Sequence, residues 1–343
     1  MAKVVYRARS CYRFAPVCGG SGVIWLVRIG LAVAALLFIA RAAPVALSAG
    51  EPERVAKRIA ITFDDTPRGA GAFLTLEERG PKLIAALNAA GVRQAAFFIN
   101  PCRIQSDRDG ALVRAYETAG HVIADHTCSH PGLSRVSAEF YLADIDQSQA
   151  WLRGRPTYRP WFRFPFLDEG GSDLAKAQAV RDGLAARGLI NGYVTADGYD
   201  WNMERLTIEA KRAGRTVDMA RLRDLYVETH VGAAEFADSL AVRATGRHPA
   251  QVLLLHETDL AALFLPDMVA GLRKAGWTIV TADEAFDDPI ARRTPQVDFA
   301  NGTRIQMLAW EKGLEGSRWY DRTDGPLADR LFEERVMHGA TVQ

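Results

Sequence analysis

The chain has 343 residues, 48% of them hydrophobic and 24% charged, with a formal net charge of +1. That composition describes an ordinary globular protein with one large core plus extensions, and no repeat or low-complexity linker appears along the chain. The near balance of charge hides an asymmetry: residues 1–50 contain no Asp or Glu but do contain Lys3, Arg7, Arg9, Arg13, Arg28 and Arg41, so the chain beyond them carries a formal −5 and offers nucleic acid no basic footprint.

Within that basic leader, 29–40 is an uncharged apolar run of 12 residues. It fits the core of a signal peptide and is short for a bilayer span. We therefore expect residues 1–50 to act as an export signal, cut after Ala42 or Ala49, or as an N-terminal membrane anchor, and the protein to be periplasmic or in the cell envelope, with anchoring to the inner membrane as the variant.

From residue 58 strands and helices alternate, marked mainly by their punctuation. A strand at 58–63 ends in Asp64 and Asp65. A helix from Pro81 places Leu83, Ile84 and Leu87 on one face and closes at Gly91. A strand at 94–99 follows, then a helix capped by Asp109 and ended by Gly120, then a strand at 122–124. Beyond the loop holding His126 and His130 come a helix at 136–153, a strand at 161–164 after Pro160, a helix at 174–187 and a strand at 192–196. The segment 203–245 reads as helical throughout. The run 251–255 is apolar without alternation, as a strand buried on both faces would be. A last helix carries Leu265, Met268, Val269 and Leu272, stops at Gly276 and feeds a seventh strand at 277–280. Seven strands with helical crossovers predict an α/β fold, an incomplete (β/α) barrel over 55–288, with an open α/β sheet as the alternative. Residues 289–343 break the pattern and read as a tail packed over the barrel, its aromatics Phe299, Trp310, Trp319, Tyr320 and Phe332 serving mainly as anchors. Of the four cysteines, Cys11 and Cys18 lie in the leader. For Cys102 and Cys128 we expect two inert thiols, with one disulfide as the alternative.

The polar residues worth attention all follow strands. Two adjacent carboxylates, Asp64 and Asp65, end an apolar strand, where alternation would aim them to opposite sides for separate tasks, one holding a metal and one moving a proton. His126 and His130, four apart, can grip one divalent ion, and a carboxylate from elsewhere would complete a three-ligand site open to water. Arg163, Asp197, Asp200 and His256 also sit just past strands, whose ends converge on one face of a barrel. His121, His230, His248 and His338 have no such company.

Taken in order, Thr62-Phe63-Asp64-Asp65, His126 to His130, Arg163 to Phe166, Asp197 to Trp201 and Leu254 to His256 resemble the five motifs of the NodB-type polysaccharide deacetylases, carbohydrate esterase family four. The resemblance implies a metal-dependent hydrolase of carbon–nitrogen bonds that removes N-acetyl, or O-acetyl, groups from an amino-sugar polysaccharide or oligosaccharide. By that resemblance Asp65, His126 and His130 are metal ligands, Asp64 is the general base, Arg163 its partner, His256 the general acid and Asp200 the group that tunes it. Phe166 gives its backbone N–H to an oxyanion, and Trp201 and Leu254 line the acetyl pocket. Phe166 stands where many relatives carry Tyr. Glu257 and Thr258 replace smaller or amide side chains, which bears on substrate choice. Imidazole with carboxylate suits Zn2+, with Co2+, Ni2+ or Mn2+ as alternatives. The competing readings are a related hydrolase of a non-sugar amide and a non-catalytic envelope carbohydrate-binding protein.

Overall fold

Apolar residues on both faces make Lys57–Thr66 the central strand, β1: Ile59, Ile61 and Phe63 face one way, Ala60 and Thr62 the other, and all five are fully buried. The structure, a computed structural model, describes residues 56–337. The leader with its apolar run and both cleavage points, Cys11, Cys18 and His338 lie outside the described residues. After β1 come α1 (Leu76–Ala89), β2 (Ala96–Ile99), α2 (Asp107–Thr118), β3 (Val122–Asp125), α3 (Ala138–Leu152), β4 (Tyr158–Phe162), β5 (Asp168–Gly171), α4 (Leu174–Ala186), β6 (Ile190–Asn191) and β7 (Ala196–Asp197). Then follow α5 (Asp200–Arg212), α6 (Met219–Thr245), β8 (Gln251–His256), α7 (Asp259–Lys274), β9 (Trp277–Ile279), α8 (Ala282–Phe286), β10 (Ala300–Asn301), α9 (Arg304–Glu311) and α10 (Gly325–Phe332).

The main sheet runs β6-β4-β3-β2-β1-β8-β7, with β9 joining the start of β1, and its pairings are parallel. Its two edges, β6 and β7, are consecutive in sequence, and 192–195 bridges them. Gly192 donates its N–H to Phe162 and Thr195 donates to Val252, so one end of the bridge is pegged to β4 and the other to β8. The sheet is thereby curled into the expected incomplete (β/α) barrel. One face buries Ile59, Ile61, Phe63, Phe97, Ile99 and Leu255 against Leu83 of α1, Leu225 of α6 and Leu265 of α7. Each such side chain contributes about 1.5–3 kcal/mol when removed from water. The other face carries Ala60, Ala96 and Ala124 beside Phe98 and Trp161, and these small residues keep it open for a buried arginine described below.

Several boundaries depart from expectation for local reasons. Helix α1 starts at Leu76 because Thr75 and Glu78 form a reciprocal cap, which leaves Pro81 inside the helix. Ser106, not Asp109, caps α2, and Asp109 bonds back to the Gln105 N–H from the helix's first turn. Strand β4 includes Pro160, at a point where its register against β3 shifts, so the missing N–H falls on an irregularity. The expected strand at 192–196 is instead two short strands and the bridge. The segment 203–245 is two helices, broken where Gly214 takes φ 70° and Asp218 caps α6 on the N–H groups of Ala220 and Arg221. Cys102 and Cys128 form a disulfide rather than free thiols: Cys102 N–H bonds Cys128 C=O and sets the two Cα atoms 4.9 Å apart.

Past α8, β10 pairs antiparallel with β5, Gly302 N–H bonds Leu167 C=O and Arg304 N–H bonds Val194 C=O, so this stretch lies across the bridge between β6 and β7. Ile305 and Leu308 join the core on the face of Ala60 and Phe98, the inner one, and Phe332 and Val336 join that on the face of Ile59 and Phe63, the outer one. Tyr320 packs its ring 5.8 Å from that of Phe236, while Phe299, Trp310 and Trp319 stay exposed. Among the described residues no helix is long and apolar enough to cross a membrane.

Candidate metal and acid–base site

Parallel register brings the strand ends together. Asp64 of β1 lies directly beside His256 of β8, and Ile99 beside Asp125, so the residues just past β1, β3, β4, β7 and β8 surround one cavity of about 350 Å³. Asp64, Asp65, His126, His130, Phe166, Asp197, Trp201, Leu254 and His256 line it, with Arg68, Leu167 and Tyr199. Strand alternation alone would send Asp64 and Asp65 apart. Asp65 instead leaves extended geometry at φ 62°, and both carboxylates reach the same cavity. His130, Phe166, Leu167 and Tyr199 also have positive φ, a concentration of costly backbone at one place that a folded site has to hold in place.

Asp65, His126 and His130 each offer a ligand atom, all within 4.8 Å of one another. His126 Nδ1 lies 2.9 Å from Arg163 C=O, to which only its N–H form can bond, so Nε2 is left bare toward the carboxylates. Burial pushes the His126 ring down to about 4, keeping it neutral as a ligand must be. His130 Nε2 stands 2.9 Å from Asp65 Oδ1. Burial alone would raise Asp65, but the His130 hydrogen bond and the charges of His256, His130 and Arg103 hold it well below the usual carboxylate range. Two imidazole nitrogens and one carboxylate oxygen on this spacing fit a divalent ion.

The flanking groups are arranged as two pairs. Arg163 is buried, and its Nη1 donates to Asp64 Oδ1 at 2.6 Å and to Thr62 Oγ1 at 2.9 Å, while Nε donates to Gly192 C=O and the guanidinium lies 3.7 Å over the Phe98 ring. Opposite, Asp200, at the start of α5, accepts from His256 N–H and from His256 Nδ1, both at 2.7 Å. Burial disfavours the imidazolium, yet Asp200 outweighs it and holds His256 above its ordinary value. Burial likewise raises Asp200, but His256 brings it below the carboxylate range. Asp197 caps the turn before α5 through Tyr199 N–H at 2.8 Å, and burial pushes it up to about 6. Phe166, at φ 61°, packs its ring 4.6 Å from that of His130, and Trp201 stands edge-on to Tyr199.

Every residue singled out from the sequence is at this cavity or in contact with a residue that lines it. Glu257 and Thr258 are not substrate-facing: Glu257 turns inward, accepting from Arg68 N–H at 2.8 Å and Tyr116 O–H at 3.1 Å, and Thr258 caps α7. Sequence reasoning missed the residues that shape the loops. Asp144 accepts from the N–H groups of Cys128 and Ser129, and Asn100 donates to the carbonyls of His126 and Thr127. Neither stands in a recognisable spacing. It also missed Arg68 and Arg103, whose guanidiniums contact Asp65 at 2.5 and 3.1 Å.

Residues 51–184 match the family model described as polysaccharide deacetylase. That segment holds the metal-type ligands, Asp64, Arg163 and Phe166, while Asp200 and His256 come later in the chain. A peptidoglycan-N-acetylglucosamine deacetylase of Bacillus cereus is 29% identical over 107 residues, 31% of this chain and 35% of that protein, so the chain spans about a third of the length of the curated relative it matches. Among solved structures, a family 4 carbohydrate esterase from Streptomyces lividans aligns with TM-score 0.45 and 20% identity over 67% of this chain and 95% of that one. The chitin deacetylase of Colletotrichum lindemuthianum aligns with TM-score 0.49 and 20% identity over 68% and 88%. Residues 51–184 are thus similar to the polysaccharide deacetylase family.

Proposed function

We propose that this protein is a metal-dependent deacetylase that hydrolyses N-acetyl groups of an amino-sugar glycan. The observation that supports the reading most is the placing of three metal-type donors between two oppositely tuned groups, an arginine-paired Asp64 and an aspartate-paired His256, around one cavity. An acetamide is a poor electrophile with a poor leaving group, so its hydrolysis needs an activated water, a stabilised oxyanion and a proton for nitrogen. Asp65, His126 and His130 would hold a divalent ion, zinc first by donor chemistry, whose Lewis acidity lowers the pKa of water and polarises a carbonyl. Asp64, fixed by Arg163, accepts the proton of the attacking water. The Phe166 N–H donates to the oxyanion, and Leu254 and Trp201 enclose the methyl of the acetyl group. His256 keeps Nδ1–H on Asp200 and gives the Nε2 proton to the departing amine.

The acid-free basic leader supports export to the periplasm or cell envelope. Recovery of the intact chain, Met1 included, from the soluble cytoplasm of its host would contradict that. The catalytic reading is tested by measuring acetate release from chitin oligomers, peptidoglycan, poly-N-acetylglucosamine and acetylated xylan, with metal-stripped protein as control. Release from at least one, dependent on metal, is expected. Hydrolysis of simple amides alone would transfer the site to a non-sugar substrate.

A further inference from the structure

Three exposed aromatic side chains are linked through one backbone contact, from the cavity residues Phe166 and Leu167 to the part of the chain beyond the matched segment. Phe166, which lines the cavity, is 60% exposed. The carbonyl of the next residue, Leu167, also a cavity residue, accepts from Gly302 N–H at 3.1 Å. Gly302 has φ 88°, and a Cβ there would stand 3.6 Å from the Trp319 ring. Trp319 is 47% exposed, and its ring centroid lies 6.4 Å from that of Trp310, itself 37% exposed. Burial would have been the cheaper arrangement for two indoles, and the same stretch does bury Phe332 and half-bury Tyr320. The exposed rings are therefore not the ones that anchor it. The stretch also forms part of the cavity's surroundings on a second side, where Tyr199 Oη approaches Gly325.

We infer that Phe166, Trp319 and Trp310 form a stacking strip that binds the sugar units flanking the one whose acetyl group enters the cavity. This rests on the glycan reading above and adds to it a preference for long chains over single units. A pyranose ring presents an apolar C–H face and a rim of hydroxyls. Flat indoles match the face at low entropic cost and leave the hydroxyls in water, as stacking platforms do for nucleic-acid bases. Continuity with the cavity selects this occupant: Phe166 and Leu167 line the cavity that would hold the acetylated unit, and Leu167 is bonded to the glycine that the Trp319 ring approaches. Arg318, whose guanidinium lies 4.7 Å over the Trp310 ring, stiffens the far end of the strip.

The test uses the full chain and its Trp319→Ala, Trp319→Phe and Trp310→Ala variants. Turnover efficiency is measured on a single N-acetylglucosamine unit and on its β-1,4-linked hexamer, and the affinity of each metal-stripped protein for the hexamer by calorimetry. Trp319→Ala should weaken hexamer binding and hexamer turnover by about ten-fold, the size of one lost aromatic stacking contact, and change single-unit turnover by less than about two-fold. Trp319→Phe should retain most of the hexamer affinity, and Trp310→Ala should lose less than Trp319→Ala. Hexamer affinity that is unchanged in Trp319→Ala, undetectable in the parent protein, or lost together with single-unit turnover overturns the strip. So does a change in oligomeric state on size exclusion with hexamer affinity intact, which would make these indoles a contact between copies. Hexamer binding that depends on Trp319 with no acetate released from any glycan would keep the strip and refute the deacetylase reading instead.

Discussion

Asp64 serves as a base only if it is ionised, close to the attacking water and unable to swing away, and Arg163 secures the last of these by donating to Asp64 and Thr62 together. Asp64→Asn should therefore keep the bound metal but lose on the order of 10²-fold in turnover, the usual size of a lost acid–base group. Metal analysis beside steady-state rates checks both halves, and loss of the metal would place Asp64 among the ligands. Asp65→Ala, His126→Ala and His130→Ala should each abolish tight metal binding, because two protein ligands hold a divalent ion weakly. Full occupancy in all three would remove the ligand assignment. As the proposed general acid, His256 would have the opposite requirement, a proton to release. Its value is raised above the ordinary one by Asp200, so the protonated form persists to higher pH. Asp200→Asn removes that stabilisation, lowers the pKa and should move the alkaline limb of the pH–turnover profile to lower pH. An alkaline limb that stays in place would assign it to another group.

At the scale of elements, the loops after β1 and β8 are joined through one buried arginine. Arg79 of α1 donates Nε to Asp259 Oδ1 at 2.8 Å and Nη2 to Gly69 C=O at 2.7 Å, and it also reaches the carbonyls of Arg68 and Glu257. Replacing it leaves Asp259 buried without its counter-charge, so Arg79→Met should cost about 3–5 kcal/mol in denaturant unfolding. A cost below about 1 kcal/mol would show that the loops are held by other contacts. None of this was legible in the sequence, where Arg79 is one cation of a charged helix start and its counter-charge, Asp259, lies 180 residues away. What was legible was local or strictly periodic: the apolar strands, the carboxylates and imidazoles that follow them, and the glycines that end helices. Boundaries were misread where a side-chain cap overrode proline, at Thr75, or where a single glycine, Gly214, broke a continuous helical pattern. The strand expected at 192–196 was misread for a topological reason. Its two ends belong to opposite edges of the sheet, and that depends on pairing with β4 and β8 rather than on residue type.

For the molecule as a whole, residues between 289 and 337 contribute to the core. Ile305 and Leu308 fill the inner face, Phe332 and Val336 the outer one, and Arg304 crosses the bridge that joins the sheet's edges. A chain ending at 288 should be insoluble or unfold at markedly lower temperature than the parent, which thermal denaturation would detect, and an unchanged midpoint would make this stretch an independent appendage. Its packing was foreseeable from its aromatics only in part, because composition does not separate the rings that anchor from those left exposed. The convergence of Asp64, Asp65, His126, His130, Arg163 and His256 was legible because a parallel barrel sends every strand end to one face. The loops that trim the cavity, held by Asn100 and Asp144, were not. Metal-dependent removal of acetyl groups from a glycan is tested most directly by the acetate that one preparation, metal-stripped and then reloaded with zinc, releases from an acetylated amino-sugar oligomer. No release after stripping, recovery on reloading, and loss in Asp64→Asn with zinc still bound are the expected results. Equal release from stripped and reloaded protein, or none from either on any acetylated glycan, would contradict metal-dependent deacetylation.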